Sequence, residues 1–524
     1  MKLAIDDKEY EQSAQGNLLS ILLEAGAFVD APCGGKGRCG KCRVIAAGAL
    51  SPLTDAERKL LSPAELAANT RLACETVLLG DARVQIISHA DIDVCAQGDA
   101  VDFEVTAEFD AAQNVGMAVD IGTTTVVAYF HELATGRLLY TASGINGQRV
   151  YGADVISRIG ACIENSENLA AQQKIMVSQL NRYIADFERV TGASANRIGQ
   201  AVIVANTTMQ HLLCGLDPAG IASAPFTPKS LFGYEQNGAE LGINISGTVY
   251  HAPSISAYVG ADITAGLYAS GAAYDDRPAL FIDIGTNGEM ALASKDRLVC
   301  CSTAAGPAFE GAHIKYGVGG VAGAIEKVTC QENALHIETI GGLPPIGICG
   351  SGIIDAAAAA LQAGGMDDTG RILDTDEAEG FIVHYIDDDE GEIVLDKASG
   401  ISLTQQDVRE IQLAKAAIAA GVNTLLHESG LTLKEIDKLY IAGGFGAHIN
   451  KASACAIGLL PAALLDKIVF VGNAAGMGAQ RALLTADGKA RLRALADRAQ
   501  YLELSGHAFF QDSYIEEMMF PERQ

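Results

Sequence analysis

The chain of 524 residues is long enough for about three to four domains at roughly 150 residues each, every one large enough to bury a core. With 49% hydrophobic and 19% charged residues it has the balance of a folded α/β protein rather than a disordered or fibrous one. A formal charge of −27, from 37 Lys and Arg against 64 Asp and Glu, excludes a chain built to grip nucleic-acid backbones, a task that rests on clustered cations.

The opening MKLAIDDKEYEQ lacks the basic start and apolar run of a secretory signal. No apolar run reaches the roughly 18 residues that a membrane span needs. A cytoplasmic protein without a membrane contact is therefore expected, and its 12 cysteines are expected as thiols or metal ligands.

Four of those cysteines cluster early: Cys33, Cys39 and Cys42 in APCGGKGRCGKC, then Cys74, a C-x5-C-x2-C-x31-C pattern. Four thiolates suit zinc as well as iron, but zinc sites usually pair two C-x-x-C knuckles. Here three ligands crowd one Gly-rich loop and the fourth arrives alone, which is one residue from the C-x4-C-x2-C…C spacing of [2Fe–2S] ferredoxins. Lys36, Arg38, Lys41 and Arg43 form a local basic collar that offsets the charge of a thiolate-bound cluster. Short alternating segments and an amphipathic stretch from Leu18 to Ala25 predict a β-grasp sheet crossed by one helix. Residues 1–91 resemble the plant- and adrenodoxin-type ferredoxin domain. GKGRCGKC also approaches a Walker A loop, but Cys42 stands where the Mg²⁺-binding hydroxyl belongs and no helical pattern follows. The other eight cysteines read as small buried hydrophobes.

Residues 92–114 turn acidic and irregular and read as a linker. A repeat then appears: VGMAVDIGTTTVVAYF (residues 115–130) and ALFIDIGTNGEMAL (residues 279–292) each run an apolar strand into Asp-Ile-Gly-Thr and back. Backbone N–H groups and hydroxyls of Gly122, Thr123, Thr124 and Thr125, and of Gly285, Thr286 and Asn287, suit phosphate, while Asp120 and Asp283 suit Mg²⁺ or catalysis. Two copies at domain-sized separation predict two lobes, 115–278 and 279–524, that clamp a triphosphate.

This pattern resembles the acetate and sugar kinase, Hsp70 and actin (ASKHA) superfamily. The resemblance implies an α+β and α/β chain: a β-grasp ferredoxin domain followed by a two-lobed ATPase. It places Asn206 and Thr207 of VIVANTTMQH at the cleft, and Gly443, Gly444 and Phe445 of LYIAGGFG against adenosine. Glu310 reads equally as a ribose or metal contact and as a satisfied polar group. GICGSGIID, residues 347–355, reads equally as an anion-facing helix start and as close packing.

The pairing of modules, with YGADVISRI, NTTM, STAAGPAFEGA and AGGFG, resembles the reductive activators of corrinoid proteins. That resemblance implies [2Fe–2S], ATP and Mg²⁺ as cofactors, transfer of one electron to the Co(II) corrinoid of a partner in a methyltransferase system, and an external low-potential electron donor. The short linker leaves a homodimer open. Two other readings remain: an activator of another low-potential enzyme such as a dehydratase, and a redox-sensing small-molecule kinase.

Overall fold

The computed structural model describes residues 2–6, 8–11, 15–25, 27, 29, 31, 33–87, 104–444 and 449–522. The first module is a sheet in the order 8–11, 2–5, 77–86, 43–50, 70–72, with the short strand Gly16–Asn17 also paired to Val77–Ile86. Alternation sends Leu3, Ile5, Val44, Ala46 and Val84 inward, where they meet Leu18 and Leu22 of the crossing helix Leu18–Glu24. That helix starts where the Asn17 side chain accepts the Ser20 N–H at 3.3 Å. Among the described residues this core draws on none beyond Ile86, so the module packs on itself.

The remainder contains two sheets of one design. In the first, Thr248–His251 and Ile198–Ala205 run parallel to Val115–Ile121, which turns back antiparallel into Thr125–Glu132 and then Leu138–Ile145. In the second, Ile468–Gly472 and Lys438–Ala442 run parallel to Ala279–Ile284, which turns back into Gly288–Ala293 and Leu298–Thr303. Each DIGT segment thus closes the central strand of its sheet. Both central strands are apolar on both faces, as expected for strands covered on two sides.

Between the sheets lie helices Ala261–Ser270 and Ala474–Leu484, joined in one core that mixes Ala118, Tyr129 and Val202 of lobe one with Phe281 and Ala442 of lobe two. Small residues permit the approach: a Cβ on Gly266 would lie 2.5 Å from the Phe281 ring. The long helix Glu167–Thr191 covers the outer face of lobe one, and Gln405–Ser429 that of lobe two. Residues 104–114, the described part of the expected linker, form no strand; Thr106 and Ala107 donate to the Leu484 carbonyl at 3.0 and 3.1 Å. Among the described residues no helix is long and apolar enough to cross a membrane.

One buried ion pair braces the first module. Glu57, in helix Asp55–Leu60, accepts from Arg71 Nε at 2.7 Å and Nη2 at 3.0 Å, and from the Leu72 and Thr54 backbone N–H groups at 3.0 and 2.9 Å. Burial opposes ionisation, but these donors hold its carboxyl below the usual range. Arg71 precedes Cys74 by one turn of chain, so the pair also fixes the segment that delivers that thiol. Glu57→Ala leaves a buried guanidinium without its partner, and a loss of about 3–5 kcal/mol is expected. Arg43→Ala, which breaks the half-exposed Arg43–Glu65 pair (2.7 Å), should cost no more than about 1 kcal/mol. Urea unfolding followed by far-UV circular dichroism compares them; equal effects would contradict the bracing role.

Candidate functional site

Cys33, Cys39, Cys42 and Cys74 converge at one edge of the first module. Gly34, Gly35, Gly37 and Gly40 all carry φ between 64° and 72°, so the loop coils in the left-handed region that only glycine enters freely. The coil folds Cys33 and Cys39 together. Cys42 Sγ lies 3.3 Å from Cys74 Sγ, and the Cys42 carbonyl accepts the Ala73 N–H at 2.8 Å, which pins the distant fourth ligand to the loop. The thiols also influence one another in two pairs: a hydrogen bond from Cys39 lowers the Cys33 thiol to about 4, and one from Cys74 lowers that of Cys42. Paired thiols suit a two-iron cluster, in which each iron takes two thiolates. The four paired thiols fit a [2Fe–2S] cluster.

The Walker-like reading fails here in structure too, since Arg43–Leu50 after the loop is a strand. The basic collar is partly committed: Arg43 is tied to Glu65, and Lys36 reaches Glu164 of lobe one at 3.8 Å. Of the eight other cysteines, Cys162, Cys300, Cys301, Cys349 and Cys455 are buried, Cys214 and Cys330 are partly buried, and Cys95 lies outside the described residues.

The second constellation lies where the two central strands end. In lobe one the Gly122 N–H donates to the Thr125 carbonyl at 2.8 Å; in lobe two the Gly285 N–H donates to the Asn287 carbonyl at 3.0 Å. These tight turns present Thr124 and Thr286 toward the space between lobes, while the Asn287 side chain bonds Glu289. The hairpin registers differ: Asp120 lies opposite Val127, whereas Asp283 lies opposite Glu289. Asp262, in the first turn of Ala261–Ser270, joins the group.

Burial, followed by the charge of Asp262, pushes both Asp120 and Asp283 up to about 7. Asn473, the cap of helix Ala474–Leu484, partly offsets the shift by hydrogen-bonding Asp120. Burial raises Asp262 to about 6, and burial together with Asp262 and Asp283 raises Glu289 well above its ordinary range. Four crowded carboxylates make a site that favours a divalent cation or shared protons.

Glu310 connects the two loops. One of its oxygens accepts from the Thr124 hydroxyl at 3.2 Å and the other from the Thr286 hydroxyl at 2.6 Å, so a single carboxylate spans both lobes. Asn206 donates from Nδ2 to the Thr123 hydroxyl at 3.0 Å while its Oδ1 caps helix Thr207–Cys214. Thr207 does not share that placement: it is buried, with its hydroxyl donating to the Ser256 carbonyl at 2.6 Å.

Gly443 follows strand Lys438–Ala442 with φ of 96°, and a Cβ there would lie 2.6 Å from the Ile284 carbonyl oxygen and 2.7 Å from Asp283 Oδ1. Gly444 is exposed, and Phe445 lies outside the described residues. The GICGSGIID run packs: a Cβ on Gly352 of helix Gly350–Ala363 would collide with the Ile325 carbonyl, and the Ser351 hydroxyl donates to Glu326.

Asp262, Glu289 and Asn473 escaped the sequence reading. Glu289 carried the one available signal, an acid at an otherwise apolar hairpin position that the register places beside Asp283.

A β-grasp [2Fe–2S] module joined to an ASKHA-type pair of lobes defines the class. Three family profiles match: the 2Fe-2S iron-sulfur cluster binding domain over residues 3–79, the RACo middle region over 115–274, and the C-terminal domain of RACo, the ASKHA domain, over 277–524. The chain is 35% identical over 417 residues to the corrinoid activation enzyme RamQ of Eubacterium limosum, covering 77% of this chain and 70% of that protein. It is 25% identical over 391 residues to the [Co(II) methylated amine-specific corrinoid protein] reductase of Methanosarcina barkeri, covering 68% of each. A solved structure of a reductive activator for corrinoid, iron-sulfur protein superposes with a TM-score of 0.70 at 32% identity, over 99% of this chain and 98% of that one. The chain belongs to the family of reductive activators of corrinoid proteins.

The raised carboxylates yield a pH prediction. Between their ordinary values and about 7 the fold binds more protons than the unfolded chain, so the metal-free protein loses stability as pH rises through that window. A divalent cation must displace those protons. Its stabilisation, read as a Tm increase on adding Mg²⁺ with nucleotide, should be larger at pH 8 than at pH 6; a pH-independent increase would contradict the carboxylate assignment.

Proposed function

We propose that the chain uses ATP to drive one electron from its [2Fe–2S] site onto an inactive Co(II) corrinoid in a partner protein, restoring Co(I) for methyl transfer. The observation that carries this is the joining in one chain of a four-thiol site with a two-lobed cleft bearing two DIGT loops. The names of the relatives add corrinoid proteins as targets and, for the Methanosarcina enzyme, Co(II) as the starting state.

The cluster supplies a one-electron couple. Cys33, Cys39, Cys42 and Cys74 hold it, and the glycine-rich coil brings backbone N–H groups near the sulfurs. An external low-potential donor returns the electron after each transfer. Reduction of Co(II) is uphill; a gap on the order of 250 mV corresponds to about 6 kcal/mol for one electron, which ATP hydrolysis covers.

In the cleft, the N–H groups and hydroxyls of Gly122, Thr123, Thr124, Thr125, Gly285, Thr286 and Asn287 bind phosphate oxygens, with Asn206 orienting Thr123. Gly443 and Gly444 give adenosine close access to the backbone. Asp120 and Asp283 would hold Mg²⁺, which would neutralise phosphate charge, and one of them would orient the attacking water. Phosphates bridging the loops take over the hydroxyls of Thr124 and Thr286 from Glu310, so nucleotide binding and lobe position are coupled through differential contacts.

The two sites separate genetically. Cys42→Ser should abolish formation of the Co(I) absorption band in a Co(II) corrinoid protein while leaving Mg-ATP binding unchanged. Asp283→Ala should weaken Mg-ATP binding by about tenfold or more while leaving the visible spectrum of the cluster intact. Loss of nucleotide binding in both variants would refute the division of labour.

A further inference from the structure

The cluster loop does not hang free of the lobes. It faces a cavity of about 410 Å³ walled on the other side by lobe one, with Cys33, Gly34 and Cys74 opposite Tyr151, Gly152 and Ser157. A Cβ on Gly34 would lie 3.4 Å from the Tyr151 carbonyl oxygen, so the loop seats closely on that segment. The seat is weakly held, because its ion pair, Lys36 with Glu164, is 3.8 Å long with side chains 56% and 70% exposed. Exposed pairs of this kind contribute little.

Beneath the seat runs helix Val155–Glu164, and from its core face Arg158 reaches both sites. This arginine is fully buried. Its Nε donates to the Gly152 carbonyl at 3.0 Å, directly under the cluster loop, and its Nη2 donates to the Thr123 carbonyl in the first phosphate loop. One rigid guanidinium fork thus binds the floor of the seat and the wall of the cleft. In a planar trans peptide the carbonyl and the following N–H point in opposite directions. By holding the Thr123 carbonyl, Arg158 therefore aims the Thr124 N–H away from itself, and the Thr124 hydroxyl already reaches Glu310 across the cleft.

We propose that Arg158 is a positioning residue that couples the nucleotide cleft to the seat of the cluster loop, so that occupancy of the cleft and docking of the cluster-bearing module favour each other. A phosphate that draws on the Thr124 N–H locks the same peptide against Arg158, and Arg158 in turn holds Gly152 in the shape on which Gly34 sits. Loss of nucleotide relaxes this fork and loosens the seat. Such coupling is reciprocal by thermodynamic necessity. The proposal rests on the reading of the cleft as a nucleotide site.

The test measures backbone hydrogen exchange in the cluster-loaded full chain with Mg²⁺ and a non-hydrolysable ATP analogue, whose binding is measured separately by calorimetry. Exchange in residues 33–43 should slow by about fivefold or more on binding. In Arg158→Lys the analogue should still bind and this slowing should vanish. Glu164→Lys, an exposed change that sets two like charges at the seat, should speed exchange in residues 33–43 and weaken analogue binding by a similar factor, although it lies outside the cleft. Should Arg158→Lys fold poorly, exchange in residues 152–158 of the unaltered chain decides, since it must slow together with residues 33–43. Analogue binding that leaves residues 33–43 unchanged, or changes them without residues 152–158, would overturn the coupling alone. Failure of the unaltered chain to bind the analogue would overturn the nucleotide reading along with it.

Discussion

The burial of four neighbouring carboxylates, Asp120, Asp262, Asp283 and Glu289, where the two lobes meet is the constraint on which the site depends. Four carboxylates end up together because two equivalent sheets each close a central strand with Asp, and both strand ends face the same cleft. Burial raises all four groups, and for Asp120, Asp283 and Glu289 neighbouring carboxylate charge adds to it, so the site holds protons unless a cation takes their place. Asn473 partly offsets this at Asp120, while a separate carboxylate, Glu310, ties the two loops through the Thr124 and Thr286 hydroxyls. Under the proposed function, a divalent cation beside these carboxylates would supply the positive charge that the site lacks.

Much of this was legible in the sequence because the chemistry-bearing loops are short and self-contained. DIGT appears twice as a contiguous string, and the four cysteines announce themselves by spacing. The fold class follows from the same strings, since an apolar strand ending in DIGT and returning at once defines the central hairpin of each lobe. The partners that arrive from elsewhere in the chain were not legible. Asp262 lies at the start of an otherwise apolar helix, and Asn473 is one helix cap among many; only three-dimensional packing brings them to Asp120. Glu289 depended on register, because the second turn is one residue shorter than the first and sets an acid, rather than a valine, against its Asp. Arg158 was hidden for the opposite reason: in a helix whose arginine would ordinarily face water, it is wholly buried.

The first module shows how a small domain holds a demanding loop. Its core is closed by its own residues, and the Glu57–Arg71 pair stiffens the segment that ends in Cys74. The glycine coil concentrates positive charge, yet Arg43 and Lys36 are each engaged by an acid, one inside the module and one on lobe one. The net charge of −27 therefore conceals a local arrangement in which a basic loop rests against an acidic body. A contact of that kind is specific in direction and easily reversed.

In the proposed function the electron reaching cobalt leaves this chain's own cluster, and does so when ATP is present. Rapid mixing of the pre-reduced chain, freed of excess reductant, with a Co(II) corrinoid protein tests it directly by following cluster and cobalt absorption together. With Mg-ATP, one cluster should be reoxidised for each Co(I) formed, at matching rates, and without ATP neither change should approach that extent. Co(I) appearing while the cluster stays reduced, or equal Co(I) yields with and without ATP, would contradict the account.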